Sequence, residues 1–274
     1  MTMDFSLIFP CYNEEGHLEQ NVDRVVGLLS LLDLDYEIVL VDDFSRDGTR
    51  DVIRTLEARY PGTVRAKFHP SNEGRGGAFM TGFSASTGKY VGFFDVDFEI
   101  GPSYLVECLA SLRQGAELVI GKRIYALQFT QLHRQILSRL YARAVSVMLR
   151  LPSGLDTESG YKFFRRESLK QYEGKFEHSG WFWDTEVVSR FVWDRRKIVA
   201  IPVAFVRNHH SPSTVRILRD SVEYFRNLVQ FRRHHVKQII GYRLPFGTIA
   251  SCLAHDSIGE MAQAALVLMS MAPA

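Results

Sequence analysis

The chain has 274 residues, of which 46% are hydrophobic and 23% charged, a composition typical of a globular protein with a substantial core. Its three cysteines are widely spaced and odd in number, which indicates neither a disulfide framework nor a zinc motif and favours a reducing, cytoplasmic compartment. The N-terminus has no signal pattern and no apolar run approaches the roughly 18 residues of a membrane span, so we expect no membrane crossing.

The net charge of +2 conceals an uneven distribution along the chain. Residues 1–120 carry 10 Lys and Arg against 19 Asp and Glu, whereas residues 121–274 carry 23 against 12. An acidic half that binds a metal ion, followed by a basic half that receives anions, suits a reaction between phosphorylated substrates. The alternative is chance segregation of surface charge.

In the first 120 residues, strand-like runs alternate with polar loops and helical patterns. Strands are predicted at residues 4–9, 35–41, 64–68 and 90–94. Pro10 is expected to end the first of them. This alternation predicts a parallel, right-handed, doubly wound α/β sheet with helices on both faces. The polar loops should then lie along one edge of the sheet, where such sheets bind their ligands.

The second half of the chain is less regular. Further strands are predicted at residues 118–121, 160–164 and 198–206. The last should lie at a sheet edge, because Pro202 interrupts it. Helical spacing covers residues 131–149, 181–193 and 215–236. We expect one domain over residues 1–240 and a weakly patterned, partly disordered tail over residues 241–274.

The most informative stretch is residues 88–102, in which an apolar run ends in two carboxylates one residue apart, Asp95 and Asp97. Carboxylates this close repel each other unless a cation joins them. Mg²⁺ or Mn²⁺ takes oxygen ligands and usually shares its shell with substrate phosphates. Asp-x-Asp at a strand end therefore predicts a metal and diphosphate clamp. The alternative is a polar loop that caps the helix starting near Ser103.

Two neighbouring loops carry candidate nucleotide ligands. Asp42 and Asp43 end the second strand, where a carboxylate can accept hydrogen bonds from a base or a ribose; helix capping is the alternative. Tyr12 lies on the loop after the first strand and can either cover a base or pack on the following helix. The same loop contributes Pro10 and Glu14.

Residues 72–77, rich in glycine, resemble a phosphate-cradling loop at a helix start. They lack the spacing of a P-loop or of a dinucleotide fingerprint. Close helix packing is the favoured explanation for Gly76 and Gly77, so Arg75 is the better candidate for a ligand contact.

Asp184 and Glu186 open the predicted helix of residues 181–193. Acidic side chains at a helix start are favourable to the helix dipole, which is one explanation. The other is a catalytic or substrate-binding role.

Six segments occur in order along the chain: Phe9-Pro10-Cys11-Tyr12-Asn13-Glu14, Val41-Asp42-Asp43 with Asp47-Gly48-Thr49, Asn72-Glu73-Gly74, Asp95-Val96-Asp97, Gly121-Lys122-Arg123 and Ser159-Gly160-Tyr161-Lys162-Phe163-Phe164-Arg165. Together they resemble a family 2 glycosyltransferase, in particular the dolichol- and polyprenyl-phosphate sugar transferases. The resemblance covers about residues 4–240. It implies a GT-A fold, a nucleotide diphosphate sugar as donor and inversion at the anomeric carbon. Residues 1–120 would then bind the nucleotide sugar and residues 121–240 the acceptor.

The resemblance also implies roles for individual residues. The nucleotide site would contain Pro10, Tyr12, Asn13, Glu14, Asp42, Asp43, Arg75 and Val96. Asp95 and Asp97 would bind Mg²⁺ or Mn²⁺, with Glu99 in a third metal-proximal position where relatives often carry Gln. The acceptor phosphate would meet Arg123, Arg134 and Arg139. The catalytic set would be Asp95, Asp97, Asp184 and Arg123.

The chain departs from this family pattern in three places. Many bacterial relatives continue into membrane helices, which we do not expect in this chain. Residues 211–214 replace a Gly-x-Ser-Lys segment of the relatives, so its lysine contact must be absent or supplied by Arg216. Asp184 and Glu186 lie where other family 2 enzymes place an acidic catalytic pair, which leaves the class of acceptor open.

Three functions are therefore compatible with the sequence. A lipid-phosphate glycosyltransferase needs no general base, because its acceptor is already anionic at neutral pH. A glycosyltransferase that acts on a sugar or small-molecule hydroxyl needs one, and Asp184, then Glu186, are the candidates. The third function is binding of a sugar nucleotide without catalysis, against which the intact Asp95 and Asp97 argue.

The predicted helix of residues 215–236 is basic and amphipathic. Its apolar side contains Val222, Phe225 and Val229, and its basic residues, with one that follows, are Arg219, Arg226, Arg232, Arg233 and Lys237. A helix of this kind suits peripheral contact with the cytoplasmic face of a membrane. Packing into the protein core or a dimer interface is the alternative. We expect no nucleic-acid partner, and the sequence leaves the oligomeric state open.

Overall fold

The computed structural model describes residues 3–125, 132–206 and 217–242. Within these ranges seven strands form one sheet in the order β3-β2-β1-β4-β6-β5-β7. The strands are β1 (Phe5–Cys11), β2 (Tyr36–Asp42), β3 (Val64–Phe68), β4 (Tyr90–Phe94), β5 (Leu118–Tyr125), β6 (Tyr161–Arg165) and β7 (Ile198–Phe205). β6 runs antiparallel to both of its neighbours, and the other pairings are parallel. The predicted mostly parallel α/β sheet is therefore confirmed.

Helices cover both faces of this sheet, as predicted. They are α1 (Leu18–Leu29), α2 (Thr49–Arg59), α3 (Arg75–Ala85), α4 (Leu105–Arg113), α5 (Leu132–Leu149), α6 (Arg166–Lys170), α7 (Trp183–Trp193), α8 (Ile217–His234) and α9 (Val236–Gly241). The first apolar core joins one face of the sheet to α1, α2 and α4, and the second joins the other face to α3, α5, α7 and α8. None of the helices in the described ranges is long and apolar enough to span a membrane.

The central strand β1 shows why the sheet is buried on both faces. Side chains alternate along a strand, so Phe5, Leu7 and Phe9 belong to the first core whereas Ile8 belongs to the second. All four are fully buried. An apolar run without polar alternation is the pattern expected of such a strand.

Most element boundaries differ from the sequence predictions by a few residues, and three of these differences affect the description of the fold. β1 continues through Pro10, because β4 pairs with β1 only as far as Ile8 and a proline is tolerated where one side of a strand is unpaired. β5 extends to Tyr125, since it pairs with β7 along its whole length. α8 ends at His234 and a separate short helix, α9, follows. β7 lies at the sheet edge, as predicted from Pro202.

The topology brings loops from both halves of the chain to one edge of the sheet. The parallel strands β1, β2 and β4 all end at this edge. Because β6 is antiparallel, its first residue, Tyr161, pairs with Phe94, the last residue of β4. The segment before β6, residues 154–160, therefore reaches the same edge.

Backbone strain is concentrated in the loops at this edge. Asn13, Phe44 and Phe98, which follow β1, β2 and β4, have φ values of 59°, 66° and 54°. Positive φ is unfavourable for residues other than glycine, and such residues cluster at functional sites. These strained loops identify this edge of the sheet as the candidate active site.

Candidate active site

Asp95 lies directly after β4 and faces the guanidinium of Arg75, the first residue of α3. Nη2 of Arg75 donates to Oδ1 of Asp95 over 2.6 Å. The guanidinium also lies over the rings of Phe93, at 4.8 Å, and Trp181, at 4.5 Å. The Arg75 side chain is 12% exposed and that of Asp95 is 42% exposed. The predicted phosphate contact is thus held beside the predicted metal ligand.

Gly160 allows this pair of side chains to lie against the backbone before β6. Its carbonyl accepts a hydrogen bond from the Asp95 N–H over 3.2 Å. A Cβ atom at position 160 would lie 1.6 Å from Oδ2 of Asp95 and 2.6 Å from Nη2 of Arg75. Only glycine fits without displacing Asp95, which explains the glycine in this segment.

Burial raises the pKa of the Asp95 carboxyl to about 6, and the pKa of Asp97 is raised to about 6 mainly by the same cause. Asp97 raises the pKa of Asp95 further, and Glu99 and Glu14 do the same for Asp97. The opposing influences are Arg75 at Asp95 and the N–H of Glu99, which donates to Oδ1 of Asp97 over 3.1 Å. A cation bound here would relieve this repulsion.

The donor set suits Mg²⁺ or Mn²⁺, because both candidate ligands are carboxylates. No group of three or more His, Cys, Asp or Glu side chains that could hold a metal occurs in the described ranges. An ion held by these two carboxylates alone would leave coordination positions for water or phosphate oxygens, an arrangement common for Mg²⁺. A third ligand from Glu99 stays a prediction.

We expect metal binding to weaken as the pH falls through about 6, because protons then compete for Asp95 and Asp97. Both folded pKa values exceed the ordinary 3.8, so the folded state binds more protons than the unfolded state between about pH 4 and 6. In metal-free protein these two groups should therefore decrease the free energy of unfolding as the pH rises through that window. Calorimetric Mn²⁺ titrations from roughly pH 4.5 to 8 test the pH dependence of metal affinity, and thermal unfolding over the same range tests the pH dependence of stability. Mn²⁺ affinity that is constant down to pH 4.5 would contradict the expectation.

Asp184, in the first turn of α7, forms a buried ion pair with Lys162 of β6. Nζ of Lys162 donates to Oδ1 of Asp184 over 2.6 Å and also to the carbonyl of Ser159. Oδ2 accepts no hydrogen bond from the described residues but lies 3.4 Å from Nε of Arg75. Burial lowers the pKa of Lys162, and Asp184 opposes that effect. Both oxygens of Asp184 thus face cations.

Glu186, the other candidate base, is fully buried and binds the backbone of the loop that precedes α7. Its carboxylate accepts hydrogen bonds from the backbone N–H groups of Glu177, at 3.0 Å, and His178, at 3.1 Å. Nε of Arg190 donates to it over 2.9 Å. The geometry favours a structural role for Glu186 over a catalytic one.

Arg123, predicted to meet the acceptor phosphate, is paired with Asp156. Nε and Nη2 donate to the two carboxylate oxygens over 2.7 and 2.8 Å. Burial raises the pKa of Asp156, but Arg123 outweighs burial and holds that pKa below its usual value. Glu158 lies 3.9 Å away from Arg123. An acceptor phosphate would therefore have to compete with Asp156 for this guanidinium.

Glu158 is a carboxylate at this edge that sequence analysis missed. Its side chain is 35% exposed, and its pKa is raised by burial and further by Asp156 and Asp184. Lys162 and Asp156 were also missed as members of the site. The nearest sequence signal was the motif that starts at Ser159, which contains Lys162 but neither Asp156 nor Glu158 and which assigned no role to Lys162.

The candidate nucleotide residues Asp42 and Asp43 are buried at the end of β2. Asp43 accepts hydrogen bonds from the N–H groups of Glu73, at 2.7 Å, and Gly74, at 2.9 Å, and so fixes the start of α3. Asp42 accepts from Nε of Arg50 over 2.6 Å. Binding of a base or ribose by either carboxylate stays a prediction.

The loop after β1 is tied to the loop after β2. Oδ1 of Asn13 accepts from the N–H of Arg46 over 2.9 Å, and the N–H of Glu14 donates to Thr49 over 2.7 Å. Pro10, Tyr12 and Glu14 are all half-buried on this rim, and Val96 is buried beside it. Several predicted features lie outside the described part of the structure, namely the side chains of Arg134, Arg139 and Arg219, residues 207–216, and residues 243–274 of the tail predicted over residues 241–274.

The model of the family described as Glycosyl transferase family 2 matches residues 6–173 of the chain. A curated relative, Glycosyltransferase AglD of Haloferax volcanii, is 30% identical over 207 residues, which are 73% of this chain and 33% of AglD. Dolichol-phosphate mannosyltransferase of Pyrococcus furiosus is 31% identical over 121 residues, 44% of this chain and 33% of the relative. The chain thus spans about a third of the length of these relatives.

Solved structures share the architecture. Glucosyl-3-phosphoglycerate synthase from Mycobacterium tuberculosis, in complex with phosphoglyceric acid, has a TM-score of 0.62 and 21% identity, covering 83% of this chain and 79% of that one. The same enzyme with Mn²⁺ and uridine-diphosphate-glucose has a TM-score of 0.60 and 22% identity, covering 83% and 77%. At such identities the likeness shows the fold alone, and it confirms the predicted GT-A fold.

Proposed function

Since the chain belongs to glycosyl transferase family 2, we propose that it transfers a sugar, with inversion, from a GDP- or UDP-sugar to a polyprenyl or dolichyl phosphate. The name of the mannosyltransferase relative supports a lipid-phosphate acceptor. The Mn²⁺ and uridine-diphosphate-glucose bound to the mycobacterial enzyme support a nucleotide sugar and a divalent ion.

Asp95 and Asp97 hold the donor diphosphate at the sheet edge in this proposal, through Mg²⁺ or Mn²⁺. A divalent ion bound there would neutralise the charge that develops on the departing diphosphate. Arg75 contributes a second positive charge beside Asp95. Pro10, Tyr12 and Glu14 line the rim on which the nucleoside lies.

The ion pairs that Asp184 forms with Lys162 and Arg75 are the observation that favours a phosphate acceptor. Its side chain is 1% exposed, and its oxygens face Lys162 and Arg75. Glu186 is equally occupied by backbone N–H groups. Neither carboxylate is free to approach an acceptor hydroxyl, whereas a phosphate brings its own anionic oxygen and needs only positioning. Of the three arginines predicted to position the phosphate, Arg123 is the one whose side chain lies in the described part of the structure.

Glu158 supports a second candidate function, transfer to a hydroxyl of a sugar or small molecule. It is more exposed than Asp184, and its raised pKa is a property that general bases often have. It lies on the acceptor side of the site, beside Arg123. A hydroxyl acceptor therefore has a candidate base in Glu158 rather than in Asp184.

The Glu158→Gln variant separates the two functions. With a polyprenyl phosphate as acceptor we expect kcat to change less than about threefold, whereas loss of a general base costs roughly 10²- to 10⁴-fold. Initial rates with a saturating nucleotide sugar measure the effect, and Glu167→Gln, at an exposed position of α6, is the matched control. A loss of 10² or more with a phosphate acceptor would contradict this assignment.

The surface of α8 and α9 supports peripheral membrane contact. Leu228, Phe231 and Ile239 bury one side of these helices, but the other side is also apolar and exposes Val222, Phe225, Val236 and Ile240. Exposed basic side chains lie beside this apolar face, namely Arg226, Arg233 and Lys237. Apolar and basic residues together suit an anionic lipid surface. Arg232 instead donates to the carbonyl of Met148 in α5, which gives it a structural role.

We expect the protein to sediment with anionic vesicles at low salt and to be released at high salt, because each basic residue near such a surface contributes about 1 kcal/mol. Arg226→Glu with Arg233→Glu should abolish binding. Arg24→Glu with Lys67→Glu makes the same change of charge at exposed positions in the first half of the chain and should not. Absence of binding at low salt, or equal loss in both variants, would contradict the expectation.

A further inference from the structure

Arg75 is paired with Asp95, one of the two proposed metal ligands. Its guanidinium contacts Oδ1 of Asp95 over 2.6 Å and Oδ2 of Asp184 over 3.4 Å. The backbone of Gly160 closes in on the pair so tightly that a single Cβ atom would collide with both side chains. The ion pair is thus a built feature of the site.

The ion pairs around Asp95 are balanced without a metal. Asp95 and Asp184 carry two negative charges, and Arg75 and Lys162, which contact them, carry two positive charges. A divalent ion on Asp95 would add two more positive charges within a few ångströms of the guanidinium. Because like charges at this distance repel strongly in a partly buried site, the ion and Arg75 compete for the same carboxylate.

We propose that Arg75 is the internal cation that neutralises Asp95 before metal binding, and that metal binding displaces it from Asp95 towards the donor diphosphate. This inference rests on the metal site of the proposed function. The planar guanidinium is well suited to bind the oxygens of a diphosphate. Asp184 lies near Nε of Arg75 and can retain that contact while the guanidinium turns.

The surroundings of Arg75 permit such a movement. Trp181, which covers the guanidinium from the solvent side, is 50% exposed and is not part of a helix or strand. Phe93, on the inner side, is fully buried and fixed in β4. The guanidinium can therefore move outwards, towards the rim where the donor binds, rather than inwards.

The proposal makes metal and donor binding mutually dependent. In the absence of donor, Arg75 holds down the affinity for the metal because it must leave Asp95. A donor diphosphate that attracts Arg75 lowers this cost, and the metal by the same linkage raises the affinity for the diphosphate. Removal of Arg75 should thus strengthen the binding of metal alone while weakening the binding of nucleotide.

The test is calorimetric titration with Mn²⁺ alone at pH 8, followed by titration with UDP and with GDP at saturating Mn²⁺. For Arg75→Met we expect Mn²⁺ to bind about tenfold more tightly than in the wild type, and the nucleotide that binds the wild type to bind at least about tenfold more weakly. Arg75→Gln, which can still hydrogen-bond Asp95, should show the same changes and serves if Arg75→Met does not fold.

Arg65→Met is the matched control, because Arg65 also pairs with a buried carboxylate, Glu37. Both residues lie near the starts of β3 and β2, at the opposite end of the strands from the candidate site. This variant should leave Mn²⁺ affinity unchanged. The proposal is wrong if Mn²⁺ binds the folded Arg75 variants no more tightly than it binds the wild type. This result would overturn it even if the wild type binds Mn²⁺ and transfers sugar. If neither the wild type nor the variants bind Mn²⁺ with nucleotide present, the metal site of the proposed function fails as well.

Discussion

The Asp97→Ala variant is expected to transfer sugar roughly 10³-fold more slowly than the wild type, because it loses a carboxylate that holds the divalent ion at the donor diphosphate. The fold should survive, since the Asp97 side chain accepts a hydrogen bond only from the N–H of Glu99 among the contacts described for it. Removal of a carboxylate whose pKa is raised to about 6 should also leave the midpoint of thermal unfolding unchanged or slightly higher.

Steady-state transfer with Mg²⁺ or Mn²⁺ measures the first effect, and calorimetric titration with Mn²⁺ in the presence of nucleotide measures the loss of metal binding. Asp51→Ala is the control, because Asp51 is an exposed carboxylate in the same half of the chain and pairs with the exposed Arg54. Wild-type turnover of Asp97→Ala with either metal would mean that the proposed clamp is wrong.

The Asp184→Asn variant is expected to unfold more easily by about 3–5 kcal/mol, because it leaves the buried ammonium of Lys162 without its carboxylate. Folded protein should nevertheless retain most of its kcat with a phosphate acceptor, since Asp184 positions neighbouring side chains in this proposal and is not a base. Chemical denaturation gives the free energy of unfolding, and initial rates below the unfolding transition give kcat.

Lys162→Met combined with Asp184→Leu removes both charges together, so it should recover much of the lost stability. This recovery distinguishes an ion-pair effect from a general intolerance of substitution at the start of α7. A stable Asp184→Asn variant whose kcat falls roughly 10²- to 10⁴-fold would instead identify Asp184 as the general base and favour a hydroxyl acceptor.

The first half of the molecule was predictable because its information is local. The strands β1, β2 and β4 are short, largely apolar runs that each end in a polar loop, as in β4 followed by Asp95 and Asp97. Parallel neighbours end at the same sheet edge, so the loops after β1, β2 and β4 could be expected to meet there. The fold class followed from the same alternation.

The acceptor side was less predictable, because it depends on the direction of one strand and on contacts between distant residues. Nothing in the local pattern of residues 161–165 indicates that β6 runs antiparallel, yet this direction brings Asp156 and Glu158 to the site. The ion pairs of Arg123 with Asp156 and of Lys162 with Asp184 span 33 and 22 residues. No spacing rule reveals such pairs in a single sequence.

Asp43 illustrates a different difficulty. A carboxylate at the end of a strand suits ligand binding and loop bracing equally well, and the sequence does not distinguish them. In the structure both oxygens accept backbone hydrogen bonds from the loop that precedes Arg75. The residue therefore shapes the donor side of the site whether or not it also touches a nucleotide.

Transfer of radiolabelled sugar is the measurement that tests the proposed function most directly. GDP- and UDP-sugars would be incubated in detergent with Mn²⁺ and either a polyprenyl phosphate or the same polyprenol without its phosphate. We expect labelled product only with the phosphorylated lipid, and none when the metal is removed by a chelator. Transfer to the polyprenol at an equal rate, or metal-dependent binding of the donor without transfer to either lipid, would contradict the proposed function.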